Sequence, residues 1–265
     1  MNKNLCDIQN SIDTRGVDIQ KVGVKNVEVP MCVQRKNSDN QIVSAKARLS
    51  VSLPHNYKGT HMSRFIEILN DWSDKNLLGI DIRGCLVEMI DKLQAQKAEV
   101  KFEFKYFIEK SAPVSGKKSL MGYDCSFKGV YKKSGEYKFI LGVKVPVTTL
   151  CPCSKEISDY GAHNQRAIVS VNISYDEENI IWLEDLVELI ERCASSPLYP
   201  ILKRADEKYV TEKAYDNPKF VEDVLRDVVL KFREHPGINW FEVDIDSIES
   251  IHNHSAWAYQ KESKI

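Results

Sequence analysis

The sequence predicts an α+β fold in which an antiparallel sheet carries paired helices on one face. Several long segments alternate apolar and polar residues, which is typical of half-buried strands. Segments with an apolar stripe at helical spacing interrupt these strands. The order of strands, two helices and further strands occurs twice, although the sequence itself does not repeat. Hairpin-linked strands combined with paired helices are typical of α+β proteins.

Composition and charge narrow the functional classes. The chain has 265 residues, of which 43% are hydrophobic and 28% charged, as in soluble globular proteins. Its net charge of −1 gives no global signal for nucleic acid or an anionic membrane, so we expect neither partner. The first residues lack the apolar core of a secretory signal, and no apolar run has the length of a membrane span. We interpret the seven cysteines as reduced. Because thiols stay reduced in the cytoplasm, we expect a cytoplasmic protein.

Two strands are predicted before the first helices. Residues 22–29 form a short extended segment that we expect Pro30 to end. Residues 43–53 alternate cleanly and stop at Pro54. After the helices, three more strands are predicted over residues 100–108, 123–131 and 137–147.

The first pair of helices begins after a basic segment. Thr60 is a candidate N-cap for a helix with an apolar face, and a second amphipathic helix is predicted over residues 82–96. Lys58, His61 and Arg64 cluster at the start of the first helix. A helix N-terminus with basic neighbours suits an anion, although an ordinary solvated helix start explains the same residues.

The second half repeats the order of elements. A strand is predicted over residues 167–175 and an amphipathic helix over residues 182–193. The charged segment 202–218 is interpreted as a connection whose charges are mostly solvated. Asn217 and Pro218 are expected to cap and begin the next helix. The last two strands are predicted over residues 240–248 and 255–259.

Cys151, Cys153 and His163 lie between two predicted strands. A soft sulfur ligand and an imidazole on a connection between rigid strands make a reasonable metal site. The common zinc signatures, however, space their cysteines two to four residues apart. Two small buried cysteines and a loop histidine are therefore an equally weighted interpretation of this segment.

Three further residues near the C-terminal end point to a polar ligand. His252 and His254 are two residues apart, so in an extended segment their side chains converge on one side. Glu222 lies at the border of the apolar face of a predicted helix. Surface histidines and an exposed rim carboxylate remain the simpler alternatives.

The chain resembles type IB GTP cyclohydrolase I in CPCSKEISDYGAHNQR, LKRADEKYVTEKAYDNPKFVEDVLRD, LPHNYKGTHMSRF and IHNHSAW, which keep a consistent order. The opening DIQNSIDTRGVDIQKVGVKNVEVP is also similar to the start of that family. The resemblance implies the tunnelling fold, with one unit over residues 1–150 and another over 151–265 in one compact bimodular domain without a linker. It also implies a homotetramer with active sites at subunit boundaries.

The reaction implied by the resemblance converts GTP and water to 7,8-dihydroneopterin triphosphate and formate, which begins tetrahydrofolate synthesis. Cys151, His163 and Glu207 match metal ligands of the family. His252 and His254 match a histidine pair, of which one ligates the metal and the other transfers protons; His252 is our choice as the ligand. We therefore expect a catalytic set of Cys151, His163, His252 and His254.

Substrate binding and the metal are also expected from the resemblance. Glu222 matches the carboxylate that binds the guanine N1–H and amino group, a bidentate contact. A mixed Cys, His and Glu ligand set suits zinc, manganese or ferrous iron, so the metal is expected only as a divalent ion. The triphosphate needs cations, for which we nominate Lys58, Arg64, Arg166, Lys203 and Arg204.

Two other interpretations compete with this one. Enzymes of the same fold include an archaeal cyclohydrolase with a cyclic phosphate product and a deazapurine nitrile reductase with a cysteine nucleophile. A zinc-stabilised structural protein without turnover is the third. Structural zinc sites are closed and mostly built from cysteine, whereas this set contains few sulfurs and several proton-active groups.

Overall fold

The computed structural model describes residues 8, 9, 11–73, 79–176 and 178–264. Within these residues the chain forms antiparallel strands and amphipathic helices, which confirms the predicted α+β class. None of the helices in this part of the chain combines the length and apolar character that crossing a bilayer requires.

The elements are labelled in chain order. The strands are β1 (Ile19–Val33), β2 (Gln41–Leu53), β3 (Lys97–Ser111), β4 (Lys118–Lys132), β5 (Tyr137–Leu150), β6 (Asn164–Tyr175), β7 (Ser196–Pro197), β8 (Ile238–Ile248) and β9 (Ser255–Ser263). The helices are α1 (Met62–Ser73), α2 (Gly79–Leu93), α3 (Pro152–Ile157), α4 (Leu183–Arg192), α5 (Arg204–Asp216) and α6 (Val221–Glu234).

The chain forms two compact units, each assembled from two stretches of sequence. The first comprises Met1–Phe104 and Ser126–Ile140, and the second comprises Lys105–Cys125 and Leu141–Ile265. Strands β3, β4 and β5 each contribute residues to both units. The boundary expected between residues 150 and 151 is based on the order of elements, whereas these units are defined by their internal contacts. That boundary falls inside the second unit and stays a prediction.

In the first unit the strand order is β1-β2-β3-β4-β5. Strand β2 pairs with both neighbours, with Ala47 opposite Val27 in β1 and Phe102 in β3. Its alternate residues, from Val43 to Leu53, are buried, because successive side chains of a strand point to opposite faces. Helices α1 and α2 pack against each other, and they also contact β1 and β2 respectively.

In the second unit the order is β3-β4-β5-β6-β8-β9, and β7 adds to β5. Strand β6 pairs with β8 so that Val171 lies opposite Val243. The apolar stripe of α6 packs on β8, where the rings of Phe232 and Phe241 lie 5.4 Å apart between centroids. Helix α4 contacts α6, which completes the pair of helices expected for this half.

Several predicted boundaries were wrong. Strand β1 continues through Pro30, which lies opposite Ser44; β1 is the first strand of the order, and proline is tolerated on an edge strand. Helix α2 begins and ends three residues earlier than predicted. Helix α1 begins at Met62, so the residue before it is His61 and not the expected N-cap Thr60. The remaining predicted strands are all present and longer than expected.

Two helices in the second half also differ from the prediction. The charged segment, which the sequence predicts to be a connection, contains the 13-residue helix α5. Only Asp206 and Ala214 of this helix are buried, so it lacks the apolar stripe that reveals a helix in sequence. Helix α6 begins at Val221 with Phe220 as its N-cap, and not at Pro218.

Candidate active site

The first predicted ligand lies where β5 ends. Cys151 is the N-cap of α3, and Pro152 occupies the first helical position, where a proline needs no N–H partner. The Cys151 sulfur accepts a hydrogen bond from the Ser154 N–H at 3.4 Å, and its carbonyl accepts one from the Lys155 N–H at 3.1 Å. The local backbone therefore fixes the direction of this half-buried side chain.

The fold brings His163 beside Cys151. Leu150 at the end of β5 pairs with Asn164 at the start of β6, and the Cys151 N–H donates to the His163 carbonyl at 3.1 Å. The hydroxyl of Ser154 accepts from the His163 N–H at 3.2 Å. Two residues that are twelve positions apart in sequence thus become cross-strand neighbours, each with a half-buried side chain.

The imidazole of His163 is oriented through its Nδ1 atom. This nitrogen lies 3.0 Å from the Gln165 amide oxygen and 3.4 Å from the Ser250 hydroxyl. Gln165 in turn donates to Glu249 at 3.2 Å. A proton on Nδ1 that is donated to Gln165 leaves the Nε2 lone pair for a metal ion, which is how ligating histidines are commonly held.

The segment with the two other histidines follows directly after Ser250. His252 and His254 are exposed, and their rings stack with centroids 5.0 Å apart and planes 10° apart. The contacts of Glu249 and Ser250 place the beginning of this segment at His163. The histidine pair itself faces solvent.

A complete metal site is not assembled within the described part of this single chain. No group of three or more His, Cys, Asp or Glu residues there is close enough together to hold an ion. Cys151 and His163 are adjacent, whereas Glu207 is an exposed residue in the first turn of α5. A thiol and an imidazole on adjacent strand ends fit two positions of a metal site and leave the others open.

Glu222 lies in the first turn of α6 and is exposed. The start of this helix is connected to the cysteine segment, because the Lys219 N–H donates to the Leu150 carbonyl at 3.0 Å. The ammonium group of Lys219 also donates to the Cys193 carbonyl at 2.8 Å. Glu222 therefore projects from a helix start that is anchored beside the residue preceding Cys151.

The predicted phosphate-binding cations divide between the two units. In the second unit, Arg166 lines a surface groove of about 490 Å³ bounded by β5, β6, β7 and α5, and Lys203 and Arg204 are exposed at the start of α5. In the first unit, Lys58 is exposed, while Arg64 donates to the Lys92 carbonyl at 2.9 Å.

The model of the family described as type I GTP cyclohydrolase FolE2 matches residues 5–258. The chain belongs to this family. A protein named GTP cyclohydrolase FolE2 from Geotalea uraniireducens is 54% identical over 254 residues, 96% of this chain and 92% of that protein. A protein of the same name from Geobacter sulfurreducens is 52% identical, covering 97% of this chain and 98% of its own.

Solved structures that resemble this FolE2-family chain are far more distant in sequence. A uricase from Bacillus fastidious aligns with a TM-score of 0.51 at 9% identity, over 92% of both chains. A highly active BTUO mutant aligns with a TM-score of 0.55 at 8% identity, over 92% of this chain and 100% of the other. At such identities the likeness concerns the fold alone.

Sequence reasoning missed two polar residues of this FolE2-family site region. Gln165 was detectable, because it lies two positions after His163, and side chains two positions apart in an extended segment point to the same side. Asp206 could not be distinguished from the other charged residues of its segment by sequence, yet it is fully buried at 0% exposure. Burial by itself raises the pKa of Asp206, but hydrogen bonds from Ser115, Lys203 and Val114 outweigh it and hold that pKa well below its ordinary value.

Proposed function

We propose that this protein is a GTP cyclohydrolase I that hydrolyses GTP to 7,8-dihydroneopterin triphosphate and formate, the first step of tetrahydrofolate synthesis. The observation that carries the proposal is the juxtaposition of Cys151 and His163 in a chain that belongs to the FolE2 family. Formation of formate requires attack of water at C8 of guanine and opening of the imidazole ring, so the site must activate water and move protons.

The proposed metal ligands are Cys151, His163, Glu207 and His252. A divalent ion held by these residues, whether zinc, manganese or ferrous iron, would supply a Lewis acid and would lower the pKa of the attacking water. The hydrogen bond between His163 Nδ1 and Gln165 favours the tautomer that this role needs. His254 is the group we assign to proton transfer, because it stacks on His252 and faces solvent.

Substrate recognition is assigned to charged groups outside the ligand set. The Glu222 carboxylate would accept hydrogen bonds from the guanine N1–H and amino group, and two donors facing one carboxylate fix the orientation of the base. The triphosphate is proposed to bind the cationic residues Lys58, Arg64, Arg166, Lys203 and Arg204. Arg166 suits this role because it lines an open groove.

The proposed assembly is a cytoplasmic homotetramer of tunnelling-fold chains with active sites at subunit boundaries. Two observations support it. The proposed ligands do not converge within the described residues of one chain. Strand β9, the last in the order, exposes Trp257 and Tyr259, and an exposed edge strand invites pairing with another chain.

The decisive experiment is to incubate the purified, metal-loaded protein with GTP and to analyse the products. Equimolar formate and a pterin triphosphate that becomes fluorescent on oxidation are expected. A cyclic phosphate product would instead indicate the archaeal type of reaction, and reduction of a nitrile substrate by a nicotinamide cofactor would indicate a reductase. If no turnover occurs and metal removal unfolds the chain, a structural metal protein is the correct interpretation.

A further inference from the structure

One buried carboxylate joins the β3–β4 hairpin to the first turn of α5. Oδ1 of Asp206 accepts hydrogen bonds from the backbone N–H groups of Val114 and Ser115, both at 2.8 Å. Its Oδ2 accepts from the Ser115 hydroxyl at 2.6 Å and from the Lys203 N–H at 2.9 Å. Each oxygen therefore has two donors, and the acceptor capacity of the carboxylate is used within the chain.

These contacts fix the backbone at the start of α5. The Lys203 N–H is held by Asp206, and the Lys203 carbonyl accepts from the Glu207 N–H at 2.9 Å. Both backbone groups of Lys203 are thus engaged, one with the buried side chain and one in the first turn of the helix. Residues 203–207 consequently have a defined conformation, although most of their side chains face solvent.

The hairpin that receives Asp206 is itself well ordered. Its loop is closed by hydrogen bonds between Ala112 and Lys117 at 2.8 Å and between Gly116 and Ala112 at 3.1 Å. Gly116 adopts a φ of 66°, which glycine accommodates without strain. Lys110 makes a second connection, since its ammonium group donates to the carbonyl of Leu198, in the segment that leads to α5, at 2.6 Å. The hairpin is therefore a rigid support.

The side chains that this support presents are charged and exposed. Lys203, Arg204 and Glu207 make no ion pair or side-chain hydrogen bond among the residues that the structure describes. By contrast, Lys208 and Glu212 of the same helix pair with each other at 3.7 Å. The backbone of this turn is already ordered before a ligand binds, so binding orders only the exposed side chains.

We propose that Asp206 is a positioning residue for this site, and that Ser115 is its partner. By fixing the first turn of α5 against the β3–β4 hairpin, Asp206 directs Lys203 and Arg204 towards the substrate triphosphate and Glu207 towards the metal ion. The inference rests on the proposed function, because those three residues matter only if the protein binds GTP and a metal. It assigns a role to a residue that contacts neither.

The test compares Asp206→Asn and Ser115→Ala with the wild-type protein. An amide at position 206 turns one acceptor oxygen into a donor that faces two other donors, whereas Ser115→Ala removes one hydrogen bond and leaves the carboxylate. Steady-state kinetics with GTP, run well below the melting temperature of each variant, should show KM raised roughly 10–100-fold for Asp206→Asn. Bound metal per chain should fall in the same variant, and Ser115→Ala should lie between it and the wild type.

Glu99→Gln is the matched control. Glu99 is also a buried carboxylate, and it pairs with Lys21 at 2.6 Å. It lies in the first unit, and among the residues that the structure describes its side chain contacts none of those proposed for the site. It should lower the melting temperature while leaving KM for GTP and metal content near wild-type values.

The possible outcomes separate the two proposals. If the wild type converts GTP and both variants keep its KM and metal content, Asp206 is only structural and the inference is overturned while the function stands. If Asp206→Asn does not fold, an unchanged KM in Ser115→Ala overturns the inference and a raised KM supports it. A wild-type protein without GTP turnover overturns the proposed function and the inference together.

Discussion

Two polar regions of the second unit use their polar side chains in opposite ways. In the interior, Lys110 donates to Glu191 at 2.6 Å and Tyr123 donates to the same carboxylate at 2.9 Å. At the surface, the stacked His252 and His254 face solvent. The interior cluster is satisfied within one chain, whereas the surface histidines stack on each other and are open to solvent.

Burial shifts the pKa values of the interior cluster. Burial lowers the pKa of Lys110, and the Glu191 charge offsets part of that effect. Burial and then the Glu191 charge raise the pKa of Tyr123, so the phenol stays protonated and remains a donor. A buried group with all its partners in the same chain stabilises one structure, while an exposed group with a fixed backbone is suited to chemistry.

The largest expected effect comes from the surface region. Cys151→Ala and His163→Ala should each reduce turnover of GTP by more than about 100-fold, since loss of a ligand exceeds the 10–100-fold effect typical of its outer-shell partners. Bound metal, measured by elemental analysis, should fall in parallel, with little change in melting temperature. Cys32→Ala is the control, because Cys32 is also a half-buried free cysteine but lies in β1. Full activity in either ligand variant would remove that residue from the site.

A mixing experiment sharpens the comparison between a self-contained interior and a site completed by another subunit. His163→Ala and Glu222→Gln variants are dissociated together and reassembled, and assayed at a GTP concentration low enough that each variant alone has little activity. If one site takes Glu222 and the metal segment from different chains, some mixed sites contain both intact groups and part of the activity returns. Each variant reassembled alone is the control, and a mixture that stays inactive shows that every site lies within one chain.

The interior cluster should respond through stability. Lys110→Met removes one partner of a largely buried ion pair and should lower the free energy of unfolding by about 3–5 kcal/mol, because the Glu191 carboxylate loses its cationic partner. Chemical denaturation followed by circular dichroism measures the change. The double variant with Glu191→Leu should recover part of the loss. A double variant as unstable as the sum of both single changes would argue against pairing as the cause.

Glu222→Gln tests the substrate side of the surface region. The amide presents a donor to the donors of guanine, so GTP binding should weaken by about 1–3 kcal/mol while the metal content stays unchanged. Isothermal titration with GTP measures the affinity. Glu234→Gln, an exposed carboxylate at the other end of α6, is the matched control. Wild-type affinity in the Glu222 variant would exclude this residue from the base-binding site.

The smallest expected effect concerns acid stability. The pKa of Asp206 is depressed in the folded protein, so its ionised form stabilises the fold above the unfolded pKa of roughly 3.9. That contribution is lost as the pH falls from there through the folded pKa. The melting temperatures of the wild type and Asp206→Asn should therefore converge below about pH 4. A difference independent of pH would show that ionisation of Asp206 does not contribute.

The sequence by itself determined the α+β class and most strands, because alternation of apolar residues follows directly from the pleat of a strand. It also pointed to Cys151 and His163, whose residue types suit a metal. It failed at α5, since a helix that buries only Asp206 and Ala214 has no apolar stripe to detect. It failed at Pro30 as well, because only the place of β1 at the edge of the strand order makes a proline tolerable there.

Only the tertiary structure decided which charged residues are structural. Asp206 and Glu207 are adjacent in sequence, and nothing in their composition separates them. Asp206 is fully buried and accepts four hydrogen bonds. Three come from Val114 and Ser115, about 90 residues earlier in the chain, and one comes from Lys203, just before α5. Glu207, by contrast, is exposed. Hydrogen bonds between distant segments depend on how the hairpin and the helix pack. Local sequence carries no record of that packing, and so the distinction appears only in the folded chain.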